Sequence, residues 1–156
     1  MAQAKGGQDL TSEEQTTFVM VKPDGVRRAL TGEVIRRIEG KGLEIVAMRK
    51  LRMSLSQAQE LYAPHEGKSF YEGLISFITS GPVVVMAVRG RKAIAAVRNL
   101  IGSTDPISAS PGTIRGDFGL EVQENVVHAS SSPEDATREL AIFFGADELA
   151  PQEVKS

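Results

Sequence analysis

Val83-Val84-Val85-Met86-Ala87-Val88 is the longest apolar run in the chain. It is far short of the roughly 20 residues that span a bilayer, and it reads as a central strand. Gly81-Pro82 separates it from Ser69–Ile78, where Phe70, Leu74, Phe77 and Ile78 fall at helical spacing. Further back, Ser56 with Gln59 forms a capping-box pattern ahead of Ala58, Leu61 and Tyr62, and Pro64 closes that short helix. Leu43–Met53 alternates imperfectly and reads as a strand. Thr31 caps a helix with an apolar stripe at Val34, Ile35 and Ile38, and Gly40 or Gly42 stops it. The β-branched run Thr17–Val21 reads as the first strand, ended by the turn residues Pro23-Asp24-Gly25.

Towards the C-terminus, Lys92–Ile101 is an amphipathic helix, and Gly102–Gly119 is a loop too long to be a simple connector. A short strand follows at Asn125–His128, beginning near Glu121. Ser132-Pro133-Glu134-Asp135 is a helix start: a capping Ser, Pro in the first turn, then two acids at the positive dipole end. That helix runs to about Phe144, with Gly145 closing it. The order is β, α, β, two short α, β, α, loop, β, α. This predicts an α+β fold of the ferredoxin-like βαββαβ plan, with an antiparallel four-stranded sheet, a helical pair inserted between the second and third strands, and a helix added at the end. The expected organisation is a flexible arm over 1–15, one domain over 16–150 and a frayed end over 151–156.

The chain has 156 residues, 18 Lys+Arg, 20 Asp+Glu, two His and no Cys. A net charge of −2 argues against a nucleic-acid-coating protein, which carries a basic excess. Zero Cys excludes a disulfide scaffold, a Cys-ligated zinc and a thiol nucleophile. Residues Met1–Thr16 lack the apolar core of a signal peptide, so a soluble, cytoplasmic protein without a membrane segment is expected.

Gly67-Lys68-Ser69 has the tail of a P-loop, but Tyr62 occupies the place of its first glycine. Zincin, nucleophile-elbow, EF-hand and Rossmann signatures are absent from the sequence. What remains is Asn125-Val126-Val127-His128-Ala129-Ser130, where an imidazole ends a strand and can act as a nucleophile. Arg115, set among Gly112, Gly116 and Gly119, offers a fork suited to phosphate, and these glycines are expected to let backbone approach a ligand. Lys22 ends the first strand, where its side chain can reach over the sheet edge. Taken singly, Lys22, Arg98 and Arg115 read equally as solvated charge, Phe70 and Tyr62 as core, and Thr104 as a loop residue. His65, in a loop just after Pro64, is expected to be dispensable.

The stretches Thr17–Val26, Ser80–Val84, Pro111–Phe118 and Asn125–Ser130, in this order and at this spacing, resemble the nucleoside diphosphate kinase family. The resemblance covers about Thr16 to Leu149. It implies an enzyme that moves the γ-phosphoryl group of a nucleoside triphosphate to a nucleoside diphosphate, by a ping-pong route through a phosphohistidine on His128. By the same resemblance Glu139 orients that histidine, supported by Ser130, and Tyr62 lies near the imidazole. Lys22 and Asn125 correspond to ligands of the sugar hydroxyls. Arg98, Thr104 and Arg115 correspond to ligands of the phosphates. Phe70 and Val122 correspond to the contacts on the two faces of the base. Mg²⁺ is expected on the nucleotide phosphates, with no protein metal site. A non-catalytic nucleotide-binding regulatory module on the same fold is the alternative, and a nucleic-acid-binding role lacks the sheet aromatics it needs.

The chain departs from the family pattern at Ala129, where Gly is commoner, at Ser131, where Asp is frequent, and in its short C-terminus. The resemblance also implies a homo-oligomer. The full-length loop with Pro106 favours a hexamer, with a tetramer as runner-up.

Overall fold

The computed structural model describes residues 13–150. The run Val83–Val88 lies inside strand β3 (Pro82–Arg91), which pairs antiparallel with β1 (Glu14–Val21) on one side and β2 (Glu44–Arg52) on the other. Strand β4 (Val127–Ala129) pairs antiparallel with β1 and completes a sheet of order β2-β3-β1-β4. This is the expected four-stranded antiparallel sheet.

Side-chain alternation sorts each central strand into two cores. Val84, Met86 and Val88, with Val19 and Val21, pack on one face against α2 (Thr31–Gly40) and α5 (Ala93–Ile101), through Val34, Ile38, Val97 and Ile101. Val83, Val85 and Ala87, with Phe18 and Met20, pack on the other against α3 (Leu55–Leu61), α4 (Tyr71–Ile78) and α7 (Pro133–Phe143), through Leu61, Ile78, Leu140 and Phe143. The inserted helical pair and the C-terminal helix therefore cover the second face. A sheet covered on both faces needs apolar residues at every position of its central strands, which is why the run is unbroken.

Several local expectations are corrected. The capping box before α3 is Ser54 with Gln57, not Ser56 with Gln59. Ser54 has extended backbone and its hydroxyl accepts the Gln57 amide, whereas Ser56 is already helical. Thr31 is the first helical residue of α2 and its cap is Leu30. Pro23-Asp24-Gly25 opens a short helix, α1 (Pro23–Arg27), because Pro is tolerated at a first turn, where its missing N–H costs no bond. Strand β1 begins at Glu14, inside the stretch expected to be an arm, with Glu14 opposite Arg91 and Gln15 opposite Gly90. Residues 1–12 of that arm and the C-terminal stretch 151–156 lie outside the described residues.

The long loop contains α6 (Ile114–Phe118), capped by the Thr113 hydroxyl, which accepts the Gly116 amide at 3.0 Å. A Cβ at Gly116 would stand 2.0 Å from the Ser110 carbonyl oxygen, so only glycine fits there. Gly116 thus lets the loop close on itself rather than lie against a ligand. Strand β4 is shorter than expected and does not reach back to Glu121. Val126 has φ +77°, and the Val127 amide donates to the Asn125 carbonyl at 2.9 Å. That γ-turn takes the chain out of the ladder. A last short helix, α8 (Ala146–Leu149), follows α7.

Candidate active site

The register of β4 against β1 decides where the histidine points. His128 stands opposite Met20, and directly paired residues project to the same face. Met20 belongs to the core under α3, α4 and α7, so His128 emerges on that side. There its ring meets Phe18 and Tyr62 edge-on, each at 5.9 Å between centroids. One helical turn of α7 supplies the acid. His128 Nε2 lies 2.9 Å from Glu139 Oε1, which also accepts the Ser130 hydroxyl at 2.8 Å. Glu139 is only 4% exposed. An ionised carboxylate can only accept, so the proton of the pair sits on Nε2 and the Nδ1 lone pair is left free.

The second group is built around the first strand's end. Lys22 is 5% exposed, and its Nζ donates to Asn125 Oδ1 and to the Gln123 carbonyl, both at 2.9 Å. Asn125 passes the link on, its Nδ2 donating to the Thr104 carbonyl at 2.9 Å. Burial, with the Arg115 guanidinium nearby, pushes the Lys22 ammonium down to about 8.

The third group faces His128 from the loop side. Arg98 Nη1 reaches the Ala129 carbonyl at 3.4 Å. Arg115 is buried, and its fork is partly engaged: Nη1 donates to the Gly102 carbonyl at 3.1 Å and Nη2 to the Val127 carbonyl at 2.8 Å. It therefore ties the loop to strand β4 as well as presenting charge. Burial and the neighbouring Arg98 push it down to about 10, which leaves it charged at neutral pH. The Tyr62 phenol is pushed up, by burial first and by the Glu139 carboxylate second, so it stays protonated.

A cavity of about 540 Å³ joins these groups. Lys22, Tyr62, Arg98, Thr104, Arg115, Asn125, His128 and Glu139 line it, with Phe70 and Val122. The last two are 51% and 55% exposed, so both present apolar surface on the cavity wall. Ser130 is off the wall, behind Glu139. The volume falls within the usual range for small-molecule sites.

Nine wall residues lay outside the sequence-predicted set, and four of them, His65, Ser131, Asp135 and Arg138, stand around the His128–Glu139 pair or the exposed Phe70. His65, expected in a loop, lies in the 3₁₀ turn Ala63–His65 on the cavity wall. Its ring is 5.5 Å from that of Phe70, its Nδ1 is 3.2 Å from Lys68 Nζ, and its basicity is lowered by burial and then by Lys68 and His128. Asp135 precedes Glu139 by four positions on α7 and Arg138 follows Asp135 by three, so helical spacing carried the signal from Glu139 to Asp135 and from Asp135 to Arg138. His65 carried no such signal, because its approach depends on how the 3₁₀ turn Ala63–His65 folds over the site.

Among the described residues, no three His, Cys, Asp or Glu are grouped to hold a metal, and no helix is long and apolar enough to cross a membrane.

A sequence model of the nucleoside diphosphate kinase family matches residues 15–149. The nucleoside diphosphate kinase of Archaeoglobus fulgidus is 58% identical over 135 residues, covering 86% of this chain and 89% of its own. That of Sulfurisphaera tokodaii is 56% identical, covering 86% and 92%. The fold matches that of a halophilic nucleoside diphosphate kinase from Halobacterium salinarum, solved in complex with CDP, at a TM-score of 0.86 and 47% identity over 90% of this chain and 94% of that one. Family model, relatives and fold agree: the chain belongs to the nucleoside diphosphate kinase family.

Proposed function

We propose that the chain performs its nucleoside diphosphate kinase reaction through His128. The observation that carries this reading is the buried Glu139 carboxylate, 2.9 Å from His128 Nε2, in a cavity walled by Lys22, Arg98 and Arg115. Nδ1 attacks the γ-phosphorus of a nucleoside triphosphate. The N–P bond forms as the bond to the bridging oxygen breaks, and the nucleoside diphosphate leaves with that electron pair. A second diphosphate then attacks the phosphohistidine in reverse. Glu139 holds the Nε2 proton and stabilises the positive ring, with Ser130 fixing the carboxylate.

Phosphoryl transfer demands positioning and charge neutralisation more than covalent help. Arg98, Arg115 and Thr104 answer the phosphates. Lys22 and Asn125, already hydrogen-bonded to each other, take the sugar hydroxyls. Phe70 and Val122 hold the base between them, and the relative that binds CDP supports a nucleotide in this cavity. The cationic wall suits an anionic Mg–nucleotide complex and repels a bare cation. Mg²⁺ carried on the nucleotide phosphates would offset part of their charge, leaving the rest to Lys22, Arg98 and Arg115.

Assembly as a homo-oligomer belongs to the same reading, with a hexamer favoured over a tetramer. Its support is the loop Gly102–Gly119, where Pro106 packs against Gly119 and Ile107 is 72% exposed. A single domain that takes in the whole of β1 from Glu14 onward, and a cytoplasmic location, where nucleotide pools are held, complete it.

Incubation with γ-labelled ATP and Mg²⁺, followed by acid and base treatment of the labelled protein, tests the chemistry. Acid-labile, base-stable label that disappears in His128→Ala is expected. Label that persists in that variant refutes the assignment.

A further inference from the structure

Arg138 is the one wall cation that the roles above leave unassigned. An i,i+3 contact with Asp135 at 3.7 Å would ordinarily make it a surface ion pair of little consequence. Its other contacts are different in kind. Nη1 donates to the Glu60 carbonyl at 2.6 Å and to the Leu61 carbonyl at 3.3 Å, in the last turn of α3 and next to Tyr62. Nη2 donates to Glu139 Oε2 at 3.4 Å. One planar guanidinium thus reaches both the helix that carries Tyr62 and the carboxylate that holds His128.

The two oxygens of Glu139 are used separately. Oε1 accepts both Ser130 and His128, and Oε2 accepts Arg138. The terminal torsion of a Glu side chain is soft, so bonds to one oxygen leave the carboxylate plane free to turn. A donor on the second oxygen fixes that plane. We infer that Arg138 is a positioning residue, which clamps the plane of the Glu139 carboxylate to the last turn of α3 and so keeps His128, Glu139 and Tyr62 in one register. The inference rests on the reading of His128 as the nucleophile. Lysine cannot replace it fully, because a single ammonium lacks the fork that spans both ends.

The test uses the full chain. Rates of phosphoenzyme formation on rapid mixing with Mg–ATP, and the dissociation constant of ADP, are measured for wild type, Arg138→Met, Arg138→Lys and His128→Ala. Small misplacements of a reacting group cost up to about a hundredfold in rate. Arg138→Met is expected to slow phosphorylation about ten- to thirtyfold and Arg138→Lys about three- to tenfold, with ADP affinity changed less than about threefold in either. A rate within twofold of wild type in either variant overturns the clamp. So does a rate loss matched by an equal loss of ADP affinity, which marks general damage to the cavity. If Arg138→Met does not fold, Arg138→Lys carries the same decision. Wild-type protein that takes no label, or His128→Ala that still takes it, overturns the reading of His128 and the clamp with it. Normal labelling of wild type with an unaffected Arg138→Met overturns the clamp alone.

Discussion

Asp24 and Val126 are joined across 102 positions of chain: the Asp24 Oδ2 oxygen accepts the buried Val126 amide N–H at 3.0 Å. The Val126 carbonyl in turn accepts the Lys22 amide at 2.8 Å. Val126 is β-branched and sits at φ +77°, a conformation that costs roughly 1–3 kcal/mol and persists only where neighbours hold it. It is the pivot between Asn125 and His128, so these two bonds set the relation between the Lys22–Asn125 pair and the His128 imidazole. Asp24→Ala removes the acceptor and leaves a buried N–H unpaired, at a cost of about 1–3 kcal/mol. Chemical denaturation is expected to show that loss together with a fall in kcat. Full stability and full kcat in Asp24→Ala would remove the pivot from the account.

Gly25 faces the same turn. A Cβ there would stand 2.7 Å from Val21 Cγ1 and 2.9 Å from the Val126 carbonyl oxygen. The backbone oxygen cannot swing aside as a side chain could. Gly25→Ala is expected to destabilise by about 1–3 kcal/mol through overpacking. The check is the denaturation midpoint, and an unchanged midpoint would contradict the close approach.

Lys22 predicts a pH dependence whose two halves run in opposite directions. Its folded value of about 8 lies below the ordinary 10.5. The unfolded chain therefore binds this proton more tightly, and this group's contribution to stability rises as pH climbs through that window. Activity runs the other way: the ammonium needed for binding is lost above about pH 8, so kcat/KM, which reports the free enzyme, declines there. In Lys22→Met the limb near pH 8 is expected to disappear from a profile that is lower throughout. A wild-type profile flat to pH 10 would count against it.

Arg115→Ala is expected to do two things at once. The sequence alone offered a fork suited to phosphate. In the folded chain two donors already hold the Gly102 and Val127 carbonyls. The variant should therefore lose kcat and also about 2–4 kcal/mol of stability, as two carbonyls lose charged donors. Steady-state kinetics beside a thermal melt separates the parts. A kinetic loss without any loss of stability would mean that the backbone ties are idle.

Base tolerance follows from an exposed, apolar pair. Phe70 and Val122 offer stacking and contact, which discriminate weakly among bases, whereas paired hydrogen bonds discriminate strongly. Purine and pyrimidine diphosphates are expected to react within about tenfold of one another in kcat/KM. Loss of the 3′-hydroxyl should cost more, since Lys22 and Asn125 would lose a partner. A preference of several orders of magnitude for one base would refute this site for the base.

The order of the strands and longer helices, the central place of Val83–Val88 in the sheet and ten of the residues lining the cavity could be read from the chain. Each rests on information local in sequence: the unbroken run at Val83–Val88, the capping pattern at Ser132–Asp135, and the motif around His128. Short-range sterics and side-chain period act over a few residues, and a sequence displays them directly. Which of two nearby serines caps α3 was already beyond that reach, because Ser54 and Ser56 differ only in backbone conformation. The rest was decided by contacts between distant segments. Sheet register brings Met20 beside His128, and the packing of helices and loops places Asp24 against Val126, turns the Arg115 fork onto backbone and sets Arg138 between α3 and Glu139. No residue type or spacing encodes those partners, because they come from the packing of two cores against one sheet. His65 shows the same limit: it has no motif in the sequence, yet folding sets it on the wall of the cavity beside Phe70.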